Sequence, residues 1–159
     1  MHITFAPKGV LQIDDARITY KNFSGKATDY NNEGDRNFSV IIDDQEIANA
    51  LIEEGWNVKI RDPRVEGDAP FMHLPVKVKY KNGNGPAAYL ETGNNMNKLD
   101  EESIGMIDKI DIISVDLDIR PWDWEFRGRT GRTAYLNSIK VVQKVDRFAE
   151  QYASADIEL

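Results

Sequence analysis

From residue 71 to residue 80 the chain alternates, with Leu74, Val76, Val78 and Tyr80 on one side and Lys77 and Lys79 on the other. Period-two alternation requires a strand with one buried and one solvated face, and a helix cannot satisfy it. The pattern recurs along the chain between clusters of Gly, Asn, Asp and Pro at intervals of roughly ten residues. It predicts about seven strands with few helices, a small barrel or sandwich.

Residues 1–9 end in Pro7-Lys8-Gly9 and read as a loose lead-in. A long first strand follows over 10–23, bulged at Asp14-Asp15, then a polar loop over 24–35 and a second strand over 36–42. Asp43-Asp44 caps a short helix that places Ile47, Ala48, Leu51 and Ile52 on one face and stops at Gly55. A third strand is expected over 56–61 and a fourth over 71–80, which the turn 81–86 returns as a hairpin strand over 87–91. Residues 94–98 read as a loop and 100–103 as the acidic opening of a short helix. A strand over 110–120, extended to 126, a hairpin loop over 127–132 and a last strand over 133–144 complete the domain. The expectation is one binding domain over 1–145, then a short helix and acidic tail over 146–159.

At 159 residues the chain is long enough to bury a core without staples. It contains no cysteine, which excludes a disulfide framework, a thiolate zinc site and a cysteine nucleophile. The start, Met1-His2-Ile3-Thr4-Phe5, lacks an apolar run behind a basic segment, and apolar runs elsewhere are only a few residues long. Neither a signal peptide nor a membrane partner is expected, which fits a cytoplasmic location.

Catalytic motifs are absent: no phosphate-binding Gly-rich loop, nucleophile elbow, zinc-protease helix or dinucleotide fingerprint is present. His2 and His73 are the only histidines, and nothing in the sequence pairs them. Asp116 and Asp118 share a strand face, as a metal-dependent nuclease would require, but they also suit a solvated face opposite Val115 and Leu117. No catalytic residue, metal or cofactor is expected.

The informative segment is 120–132, with four arginines, two tryptophans and one phenylalanine. Trp122, Trp124 and Phe126 stand two apart and project from one face. Flat aromatic surfaces that stack bases, beside guanidinium groups that follow phosphates, are what a single-strand nucleic-acid binder needs. Arg120, Arg127, Arg129 and Arg132 meet no acid between 126 and 134. The pattern leaves open which of Trp122 and Trp124 fills the core and which is exposed. A second basic and aromatic set could line the same groove: Tyr20, Lys21, Phe23, Lys26 and Tyr30 around the first loop, Arg36, then Lys59, Arg61, Lys77 and Lys79. The net charge of −7 opposes this reading taken alone. Phosphate contacts are local, however, and charges more than about 10 Å away are screened, so the distribution of charge decides.

Several stretches look familiar together: Ala16-Arg17-Ile18-Thr19-Tyr20-Lys21-Asn22-Phe23-Ser24-Gly25, Gly34-Asp35-Arg36-Asn37-Phe38, Glu54-Gly55-Trp56-Asn57-Val58-Lys59, Ile119-Arg120-Pro121-Trp122-Asp123-Trp124 and Ala134-Tyr135-Leu136. Over about residues 10–145 the chain resembles phage-encoded single-stranded DNA-binding proteins of the OB-fold class. The resemblance implies a mainly β, five-stranded OB-like barrel with extra hairpin strands and two or three short helices. It also implies sequence-tolerant coating of DNA strands exposed in replication or recombination, in an infected bacterial cell and without a cofactor. An acidic C-terminal tail that recruits replication or recombination proteins belongs to the same pattern. Here the tail, Asp156-Ile157-Glu158-Leu159, is short, mildly acidic and lacks a terminal aromatic. The competing expectation is a protein-interaction module on the same barrel, a phage accessory or host-defence inhibitor that uses the acidic faces. Exposed strands and a C-terminal helix would offer surfaces for a homodimer.

Overall fold

A computed structural model describes residues 1–146 and residue 148. The expected helix over 146–152 and the acidic tail lie outside the described residues. Ten strands form one sheet: β1 (His2–Phe5), β2 (Leu11–Ala16), β3 (Ile18–Asn22), β4 (Arg36–Ile42), β5 (Lys59–Arg61), β6 (Phe71–Val78), β7 (Ala87–Thr92), β8 (Asn95–Leu99), β9 (Ile112–Phe126) and β10 (Arg129–Gln143). Among the described residues one α-helix, α1 (Gln45–Glu53), and two 3₁₀ turns, over Pro7–Gly9 and Ile104–Lys109, stand between them.

The long first strand closes the barrel. β2 and β3 are one run broken only at Arg17; β2 pairs with β9, and β3 pairs with β4. The ladder then continues from β9 to β10, β6 and β4, so the sheet curls back onto its own beginning through five strand positions. This is an OB-like barrel with added strands. The bend is where the two acids foretold it: register slips between Ile13 and Ala16, Asp15 takes φ +53°, and the Asp15 N–H donates to Asp116 Oδ1 at 2.8 Å.

Alternation fills the interior. Leu11 and Ile13, Phe38, Val40 and Ile42, Leu74, Val76 and Val78, and Val115, Leu117 and Ile119 are all buried. Ala48 and Leu51 of α1 join this core, as does Trp56. Asp44 caps the helix as expected, with its carboxylate accepting from the N–H groups of Glu46 and Ile47. Phe23 stacks on Phe38 at 4.9 Å between ring centres, alongside buried Ile104 and Ile107 of the 3₁₀ turn. Asp108 holds that end shut, accepting from the backbone N–H groups of Phe23 and Ser24 and from the Ser24 hydroxyl.

Several expectations fail locally. The lead-in contains β1, antiparallel to β2. Residues 81–86 do not return the chain as a hairpin, because β7 runs parallel to β10 and turns at Gly93 into β8, where a loop was expected. The third strand keeps only its last three residues, since Trp56 drops into the core. The loop expected over 127–132 shrinks to Arg127-Gly128, both at positive φ (+49° and +76°), so β9 and β10 form one long two-residue hairpin.

Candidate nucleic-acid interface

The hairpin outruns the barrel. Beyond Ile119 the inward-facing phase of β9 has no core left to fill, and it carries Pro121, Asp123 and Glu125. The other phase carries Arg120, Trp122, Trp124 and Phe126, all exposed. Neither tryptophan is core: Trp122 is 58% and Trp124 41% exposed. Trp124 faces Gly131 across the ladder, and a Cβ at Gly131 would collide with the indole ring. Glycine therefore makes the bed on which the indole lies flat. Arg120 stacks on Tyr135 of β10, its guanidinium carbon 4.9 Å from the ring centre.

β6 supplies the floor beside this hairpin. Its outward phase runs Phe71, His73, Pro75, Lys77 and then Lys79, the phase that the lysines marked in sequence. β5 pairs with β6 only at 71–73, and β10 bridges it only at Lys77. Pro75, with no N–H to donate, sits in the gap between them. The cleft over that gap is lined by Trp56, Pro75, Lys77, Trp124 and Arg132. A neighbouring cleft lies between Lys79, Lys81, Arg120, Trp122 and Tyr135. A third takes in Tyr20, Arg36, Asn37, Lys77 and Lys79. Lys77 and Lys79 are shared walls, so the three join into one groove across the outer face.

Tyr20 reaches this groove by an unusual route. It has φ +51° inside β3, beside the register slip between Thr19 and Asn22. A bulky side chain in left-handed backbone costs about 1–3 kcal/mol. The strain carries its ring over β4 to within 5.5 Å of His73 and 6.2 Å of Phe71, edge-on to both. Phe71 and His73 are 5.3 Å apart, and Arg61 lies 6.0 Å from the Phe71 ring centre. Lys59 is the ladder partner of His73. Burial, then the charges of Arg61 and Lys59, hold the His73 imidazole below its usual range, so it is neutral at pH 7. Its Nδ1 lies 2.9 Å from the hydroxyl of buried Ser39.

Other expected residues are occupied elsewhere. Phe23 is completely buried and offers no ring face to a base. The Lys21 ammonium donates to the carbonyls of Ile107 and Ile110 and pins the 3₁₀ turn. Arg36 donates to the Phe23 carbonyl at 2.7 Å and lies over the Tyr80 ring. Arg132 is not unopposed: it donates to both carboxylate oxygens of Asp123 and to the carbonyl of Glu54, the C-cap of α1, with its guanidinium over Trp56. The hydrogen bond from Arg132 is the main cause that holds the Asp123 carboxyl below the usual range. Lys26 and Tyr30 are exposed on the 24–35 loop, apart from the clefts; Arg127 and Arg129 are exposed at the hairpin tip. Phe71 and His73 stand beyond Pro75 on the outward phase of β6 and Tyr135 lines the second cleft, three residues to which sequence reasoning gave no binding role. Extending the lysine phase of β6 backwards by two and three alternations would have found the first two.

Acids border this groove as well, since Asp35 and Glu101 line the third cleft. Asp14, Asp116 and Asp118 gather in a separate cleft on the β2–β9–β10 surface, where Asp118 accepts from Ser138 at 2.9 Å. Together with the Asp15–Asp116 bond this gives both candidate nuclease carboxylates a structural partner. No group of side chains arranged to hold a metal occurs among the described residues. No helix among them is long and apolar enough to cross a membrane.

An OB-like barrel with a basic, aromatic outer groove defines the class of single-strand nucleic-acid binders. The family model of the phage ssDNA-binding domain matches residues 3–158, and the chain belongs to that family. It is similar in fold to the single-stranded DNA-binding protein of bacteriophage Enc34: 14% identity, TM-score 0.56, covering 98% of this chain and 94% of that one. The same phage protein in complex with ssDNA gives 15% identity and a TM-score of 0.52 over 92% and 93% of the two chains. No curated protein is similar enough in sequence to match.

Proposed function

We propose that this chain coats single-stranded DNA exposed in phage DNA replication or recombination, in the cytoplasm of the infected bacterial host, and does so without catalysis. Family membership supports the ligand. The mode of binding rests on one observation above all: the Trp124 indole lies on Gly131, at the edge of a cleft whose other wall is Lys77. Bases stack on Trp124, Trp122 and Tyr135, while Lys77, Lys79 and Arg120 follow the phosphates. Stacking contributes about 1–3 kcal/mol per base and every base has a π face, so binding is largely independent of sequence. Of the acids behind the net charge of −7, Asp14, Asp116 and Asp118 gather in a cleft apart from Trp124, Lys77 and Lys79. Residues 1–145 form the binding domain in this reading, and 146–159 the tail through which replication or recombination proteins are recruited.

The test is fluorescence anisotropy of labelled oligo-dT over a salt series, with and without Mg²⁺. Tight binding at low salt that weakens linearly in log salt, with intact DNA recovered, is expected. No binding at low salt, or Mg²⁺-dependent cleavage, overturns it.

A further inference from the structure

We propose that Tyr20, Phe71 and His73 form a second stacking subsite, for one unpaired nucleobase, at the end of the groove away from the tryptophan hairpin. This rests on the single-strand reading above. Three independent features support it. The first is geometry: three rings on two strands converge at 5.3 to 6.2 Å on the outer face, where no core requires them. Tyr20 is 51% exposed. The second is charge: Lys59 and Arg61 are the direct ladder partners of His73 and Phe71, so phosphate-binding cations border the rings on the side away from Tyr20. The third is strain. Tyr20 holds φ +51° in a strand, a conformation that glycine would adopt freely and tyrosine resists. The ring it places is half exposed and meets Phe71 and His73 edge-on, a poor return if folding were its only purpose.

The cluster also carries a hydrogen-bond donor suited to a base. Among the described residues the Ser39 hydroxyl has the His73 ring as its partner, and it is satisfied when it donates to Nδ1. The proton of the neutral imidazole then resides on Nε2, which has no partner among the described residues. A base carbonyl or ring nitrogen accepts from it. The subsite thus takes a nucleobase by its face and one acceptor edge, and its distance from the hairpin makes it reachable only by a longer strand. From Pro75, which lines the Trp124 cleft, His73 stands two and Phe71 four residues away, about 7 and about 13 Å along β6 at about 3.3 Å per residue.

Length dependence tests this. Labelled oligo-dT from about 4 to about 20 nucleotides is titrated against the full chain and against Tyr20→Gly, Phe71→Ala and His73→Phe, with thermal melts of each. The shortest strands are expected to bind all four proteins equally, at the hairpin. Wild type gains affinity as strands lengthen enough to reach the cluster. Tyr20→Gly and Phe71→Ala lose roughly tenfold of that gain, and His73→Phe, which keeps the ring, loses a smaller part. Tyr20→Gly melts at or above the wild-type temperature, because glycine relieves the backbone. Tyr20→Gly that keeps the full length gain overturns the subsite, and so does Tyr20→Gly that melts well below wild type. Wild type that binds no strand of any length overturns the parent reading instead.

Discussion

Gly131→Ala isolates the stacking surface without touching a ring or a charge. Gly131 is the ladder partner of Trp124 in the middle of a paired strand, and its φ lies outside the left-handed region, so alanine meets no backbone penalty. What it meets is the indole, whose Cζ2, Cε2 and Nε1 are the nearest atoms to a Cβ built there. The ring must leave its bed and swing off the groove wall. The loss is one base stack, about 1–3 kcal/mol. At about 1.4 kcal/mol per tenfold, affinity for oligo-dT falls by about 5- to 150-fold. Stability moves little, since restriction of the unfolded chain by alanine offsets the burial that the displaced indole loses. The assay is anisotropy at one fixed salt concentration, beside a thermal melt and a Trp124→Ala control of similar affinity loss. Gly131→Ala that binds like wild type while Trp124→Ala is weakened shows that the bed is irrelevant. If both bind like wild type, the tryptophan hairpin is not the stacking surface.

Three further outcomes follow from the geometry. Lys77→Ala removes one phosphate contact, so the slope of log affinity against log salt becomes shallower by about one unit, measured across sequences to confirm that the loss is uniform. Phe23→Ala empties a fully buried site stacked on Phe38 and costs about 3–5 kcal/mol in chemical denaturation, while the folded fraction keeps its DNA affinity because Phe23 has no face in the groove. His73 titrates below its ordinary 6.5 because of burial and then Arg61 and Lys59. On acidification the unfolded chain takes up this proton first, so His73 draws stability down from about pH 6.5 to its native midpoint and adds nothing below it. NMR titration of the imidazole fixes that midpoint, and His73→Phe removes this part of the acid limb.

The barrel was legible where one physical rule governs one strand. Alternation over 36–42 and 71–78 placed β4 and β6, and Asp14-Asp15 marked the bulge that lets one strand close the ring. Asp44 and Gly55 bounded α1 because capping is local. Pairing was not local. The turn at 81–86 carries every hairpin residue, yet β7 pairs in parallel with β10, a choice made by tertiary packing more than fifty residues away. Phe71 and His73 were missed because the outer phase of β6 was followed only through its lysines, and the two rings come together with Tyr20 only across β4. Arg127, Arg129 and Arg132 looked equivalent in sequence. Only the two-residue turn showed that Arg132, at the wall of the Trp124 cleft, directs its guanidinium at Asp123 and the end of α1.

Ultraviolet crosslinking of the full chain to oligo-dT, with the attached peptides mapped by mass spectrometry, tests the groove itself most directly. Crosslinks at Trp122, Trp124 and Tyr135, joined by Tyr20 and Phe71 on longer strands, are expected. Crosslinks confined to the 24–35 loop, to β8, or to the acidic surface around Asp14 and Asp118 would place the DNA elsewhere and contradict the account.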